Sequence, residues 1–183
     1  MDQKEALRIS VQNVRSMVNN SILLLRDVDL LLSKAGFTPL FGNTLGCEPS
    51  KNINQSYDQP SSFFPPYMSR FYYRNETGAG AKLLCVNVQF YHHLWDEFQP
   101  CILAGLCKLS SKGNKPQHWW MKYYAFEFDT NERIKPDRSI YHREDEDASV
   151  SMWGIELQEL AGIEDIKKEI TDRLIEEYER QND

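Results

Sequence analysis

Within FYHHLWDEFQ (90–99), His92, His93, Asp96 and Glu97 place two imidazoles and two carboxylates inside six positions. Imidazole nitrogens and carboxylate oxygens are ordinary ligands of zinc and iron, so the stretch is a candidate metal site. Local backbone decides whether it can act as one. In a helical turn, His92 would stand beside Asp96 and His93 beside Glu97, each pair four apart. On a strand, neighbouring residues point to opposite faces, and the two histidines cannot share an ion. The preceding residues alternate, Leu84, Val86, Val88 and Phe90 on one side and Leu83, Cys85, Asn87 and Gln89 on the other. This predicts a strand running into the stretch, with Asp96 and Glu97 in the turn before Pro100. A metal bound here would need further ligands from elsewhere, such as His118 or His142.

A second set lies in KPDRSIYHREDEDASVSMWGIELQ: Asp137 after a proline, then Glu156 and Gln158 two apart on a predicted strand. Two carboxylates of this kind can hold a divalent ion that activates water. The pattern resembles the restriction-endonuclease-like nucleases, in which an aspartate at a strand start and an acidic-x-Lys pair on the next strand form the site. Gln158 stands where that family carries lysine, and no strand is predicted beyond the last helix. The resemblance implies a metal-dependent hydrolase using Asp137, Glu156 and Gln158, with one of His92, Asp96 or Glu97 in support.

A third set suits binding. On YMSRFYYR (67–74), Arg70, Tyr72 and Arg74 alternate onto one face, where guanidinium groups interleaved with an aromatic ring could hold an anion or a base. On HWWMKYYAFEFD (118–129), Trp119 and Trp120 point to opposite faces. One of the two should therefore meet a second sheet face or an interface, where tryptophan is enriched. The sequence has no glycine-rich phosphate loop, GxSxG elbow or Ser-His-Asp pattern, and no cofactor is implied.

The elements that must position these residues begin with a long helix. Leu7, Val11, Val14, Val18, Ser21, Leu25, Val28 and Leu32 recur at alternating four- and three-residue steps, predicting a helix from about Asp2 to Ala35. Asp2 followed by Glu5 has the form of a capping box, and Gly36 with Pro39 beyond makes a stop. Ile22, Leu23, Leu24, Leu30 and Leu31 widen the apolar face, so the second half should be covered on more than one side. Strands are predicted at 37–41, 67–74, 82–93, 101–110, 118–129 and 149–160, joined by short links that favour an antiparallel meander. The stretch 42–66 reads as a long loop and 131–148 as an exposed acidic connection. An amphipathic helix is predicted over 163–181, with Ile163, Ile166, Ile170, Leu174 and Tyr178 on one face.

These elements make one α+β domain over 1–183, a two-layer arrangement in which terminal helices cover one face of an antiparallel sheet and leave the other for function. Net charge of −6 over 183 residues argues against nucleic acid as a partner. The apolar stretch 21–32 is broken by Arg26, Asp27 and Asp29 and falls short of a membrane span. Cys47, Cys85, Cys101 and Cys107 lack metal or redox spacing and suit a cytoplasmic protein with reduced thiols. The reading that follows is a non-catalytic binding or regulatory module. Its partner would be another protein or a second copy of itself, engaged through the first helix, the 42–66 loop and an aromatic sheet face.

Overall fold

The computed structural model describes residues 2–47, 65–75, 80–91, 97–110, 136–144, 146 and 148–180. Its first element, α1 (Gln3–Lys34), begins at Asp2, whose carboxylate accepts the Lys4 N–H. Glu5 does not complete the capping box: its carboxylate is held by Arg8, one turn on, at 2.6 Å. The helix ends in a Schellman turn. Gly36 takes φ 85°, a conformation open to a residue without Cβ, and the Phe37 and Gly36 N–H groups donate to Leu32 and Ser33 carbonyls.

The strands are β1 (Thr38–Pro39), β2 (Tyr67–Tyr73), β3 (Lys82–Gln89), β4 (Cys101–Leu109), β5 (Tyr141–Glu144) and β6 (Ala148–Glu156). They form one open antiparallel sheet in the order β1-β2-β3-β4-β6-β5. Its edges are blunted, by Pro39 on β1 and by His142, Arg143 and Glu144 on β5, residues that discourage further strand pairing. After β6 come a 3-10 turn (Leu157–Glu159), α2 (Ile163–Ile166), a π-helical stretch (Lys167–Asp172) and α3 (Arg173–Arg180).

Leu25, Val28 and Leu32 of α1, with Ile166, Ile170, Leu174 and Tyr178 of the C-terminal helices, pack against Tyr72, Leu84, Val86, Ile102 and Trp153. Helices and sheet thus form the two-layer α+β arrangement expected from the terminal amphipathic patterns. The Trp153 indole donates to the Glu169 carbonyl at 3.3 Å, in the π-helical stretch, while the Arg173 guanidinium lies 4.2 Å over the same indole ring. Phe37 meets Tyr178 edge to face, with centroids 5.0 Å apart.

Three features differ from the sequence reading. The sheet face opposite the helices is not open: Leu83, Cys85, Leu103 and Met152 on it are at most 1 % exposed. A face this apolar cannot remain solvated without a large unfavourable free energy, which is why CILAGLC reads as apolar throughout rather than alternating. The stretch 131–148, expected to be a connection, contains β5. Finally, the second half of α1 meets both the sheet and the C-terminal helices, but its cover is incomplete, since Leu23 and Leu30 remain about half exposed. The expected strand 118–129 and most of the 42–66 loop lie outside the described residues. Among the described residues, no helix is long and apolar enough to cross a membrane.

Candidate functional site

At 1.5 Å per residue, the 32 residues of α1 extend about 48 Å. One apolar stripe runs along this length but meets two environments. From Ser21 onward its residues are buried, Ser21 and Leu25 at 1 % and Val28 and Leu32 at 0 % exposed. Before Ser21 the stripe opens toward the N-terminus: Val18 still packs against the core, while Leu7 is 68 %, Val11 52 % and Val14 43 % exposed. The helix continues past the sheet that its second half covers. Along this first half Lys4, Arg8 and Arg15 flank Leu7, Val11 and Val14 on the same helix.

Where the helix reaches the body, a cleft of about 570 Å³ opens between α1, Pro100, the end of β6 and the start of α2. Met17, Leu24, Leu157 and Ile166 give it apolar walls, and Asp27 places a carboxylate at its rim. Three segments far apart in sequence build this cleft, α1, the turn at Gln99 and Pro100, and the stretch from Glu156 to Ile166. Its single legible signal was the excess width of the apolar face around Leu23 and Leu24.

Arg70 and Tyr72 share a face of β2, with Arg74 just past its end, but it is the helix-covered face. Arg70 is 4 % exposed and fully engaged: Nε donates to Asp29 at 2.8 Å, and the two terminal nitrogens donate to the Thr44 and Gly42 carbonyls at 3.1 and 2.8 Å. The Tyr72 hydroxyl donates to the same Asp29 oxygen at 2.8 Å. Burial and the Asp29 charge hold the Tyr72 phenol well above its ordinary range. Arg74 pairs with Glu179, donates to the Ala35 carbonyl at 2.9 Å and lies over the Phe37 ring. These residues fasten α1, the 42–44 segment and α3 to the sheet.

Asp137 bridges to Ile155, one residue short of Glu156, and its carboxylate turns back to the Ser139 backbone N–H and hydroxyl. Ile155 belongs to the helix-facing core, and successive strand residues alternate, so Glu156 projects to the other face, where it accepts from Gln158 at 2.5 Å. The pair therefore does not converge as a nuclease site requires. Across from Glu156 on β4 stands Cys101. Burial, with the Glu156 charge beside it, pushes its thiol up to about 12, so at neutral pH it is a protonated thiol and a poor nucleophile. Glu97 is exposed. His92, His93, Asp96, Trp119 and Trp120 lie outside the described residues. Among the described residues no three of His, Cys, Asp and Glu are arranged to hold a metal ion.

Comparison with protein-family models, with curated proteins and with solved structures finds no match for this chain.

Proposed function

We propose that the chain is a protein-association module, binding or regulatory in role, whose docking element is the first half of α1. The observation that carries this reading is the change of environment along one stripe. Ser21, Leu25, Val28 and Leu32 are core, while Leu7, Val11 and Val14, in the same register, are open. A stripe of branched apolar side chains over about two heptads is costly to leave in water and is the surface that helix-in-groove and coiled-coil partners cover. The other large apolar side chains exposed on α1, Ile22, Leu23 and Leu30, broaden the same element.

A photo-crosslinking residue at Val11, activated in cells that make the protein, tests this. A discrete protein adduct is expected at Val11 and is absent when the crosslinker replaces Lys168, an exposed position on the C-terminal helices. Val14→Asp should abolish the Val11 adduct while the circular dichroism spectrum is unchanged. Equal labelling at Val11 and Lys168 would overturn the reading.

A further inference from the structure

We infer that the cleft where α1 meets the body is a binding site for a small organic ammonium with an apolar chain, the cation held by Asp27 and the chain laid between α1 and the segment that follows β6. The site is separate from the association surface, since Leu7, Val11 and Val14 do not line it.

The helix wall of the cleft is a second stripe on α1. Met17, Asn20, Leu24 and Asp27 recur at three- and four-residue steps, each one position before a residue of the core stripe, Val18, Ser21, Leu25 and Val28. Met17 and Leu24 pack partly against the core and line the cleft with what remains exposed. Across from them stand Leu157, Leu160 and Ile166. The cleft therefore has two apolar walls and a carboxylate at one end.

That carboxylate is left over by the fold. Asp29, two residues on, is engaged by Arg70 and Tyr72. Asp27 is half-buried, with Leu23 and Leu24 one turn before it on the helix and Leu30 and Leu31 one turn after. Among the described residues it makes no hydrogen bond or ion pair, and no Lys, Arg or His is among those that line the cleft. Glu156 does not share its task, because the Glu156 side chain projects to the other sheet face and accepts from Gln158.

These features select the ligand. An anion entering the cleft would meet the Asp27 charge, and a neutral apolar molecule would strip water from Asp27 and give nothing back. An ammonium replaces that water with charge-assisted hydrogen bonds. The volume of about 570 Å³ falls within the range of small-molecule pockets, and from Met17 to Asp27 the helix runs about 15 Å, room for a chain of several carbons with its cation at one end.

The test uses n-octylammonium as probe and the methyl resonance of Met17 in the full chain as readout, assigned through Met17→Leu, with the buried Met68 and Met152 as references. The probe should shift Met17 saturably at millimolar concentration or below and leave Met68 and Met152 in place. 1-Octanol and octanoate should bind at least about tenfold more weakly, and Asp27→Asn should weaken octylammonium binding by a similar factor while the circular dichroism spectrum is unchanged. A Met17 signal that does not move, one that moves equally with 1-octanol, or full affinity in Asp27→Asn would each overturn the ammonium site. Loss of the Val11 crosslinking adduct in Asp27→Asn, with no octylammonium shift in the wild type, would assign the cleft to a basic side chain of the protein partner; the small-molecule site would fall and the association reading would stand.

Discussion

Arg70 Nε and Tyr72 Oη converge on one oxygen of Asp29, each at 2.8 Å, so a carboxylate on α1 is shared by two side chains of β2. This joint fixes the height of the helix over the sheet, and through the Gly42 and Thr44 carbonyls it also fixes the chain leaving β1. Asp29→Ala would leave a guanidinium that is 4 % exposed without its counter-ion. Removing one partner of a buried pair costs about 3–5 kcal/mol; because the Asp29 side chain is 30 % exposed and water can reach the gap, the lower end, about 3 kcal/mol, is expected. Asp29→Asn keeps an acceptor oxygen and should cost less. Arg70→Lys cannot span Asp29, Gly42 and Thr44 together and should approach the Asp29→Ala loss. Urea unfolding midpoints order the three; an Asp29→Ala midpoint within error of wild type would show that the joint contributes little.

Gly105 and Met152 are partners across β4 and β6, and no side chain fits between them. A Cβ on Gly105 would lie 2.1 Å from the Ser151 carbonyl oxygen and 2.7 Å from the Met152 Cα, both backbone atoms. Relief requires moving a central strand whose two faces are buried. Gly105→Ala is therefore expected to lower stability by about 3 kcal/mol, the upper range for overpacking a core. The loss should appear as a reduced urea midpoint with unchanged slope. A midpoint within error of wild type would mean that β4 and β6 can separate at little cost.

The ends of α1 were legible because Asp2 and Gly36 act within a turn of themselves. The alternation of Arg70, Tyr72 and Arg74 was legible for the same local reason. Which face of β2 would be covered was not, since the deciding partner, Asp29, is 41 residues away in sequence. Likewise the stripe from Leu7 to Leu32 has one period throughout, and nothing local distinguishes the half that meets the sheet from the half that passes beyond it. β5 escaped notice because His142, Arg143 and Glu144 have the composition of a solvated loop. An edge strand tolerates, and is protected by, that composition. The cleft beside Pro100 joins three distant segments, and only the folded chain brings Pro100 and Leu157 to Met17.

Alkaline pH offers a readout of the buried core that is independent of any partner. Burial raises the Cys85 thiol well above its ordinary value, with Cys107 beside it adding to the effect, and burial with the Glu156 charge pushes Cys101 up to about 12. In the unfolded chain a thiol titrates near about 8.5. Above that pH the unfolded state gives up protons that the folded state retains, so stability must fall as pH rises. Each such group contributes about 1.4 kcal/mol per pH unit until its folded pKa is reached. Below about pH 8 these thiols add no pH dependence. Tyr72, raised by burial and Asp29, extends the decline above the ordinary phenol range near about 10. Urea midpoints should therefore be level with respect to these groups near neutrality and drop between about pH 9 and 11. Cys101→Ala should make that drop shallower by one proton's worth of slope. If the wild-type and Cys101→Ala slopes are parallel, Cys101 ionises as readily folded as unfolded, and the sealed surroundings assigned to it on β4 are wrong.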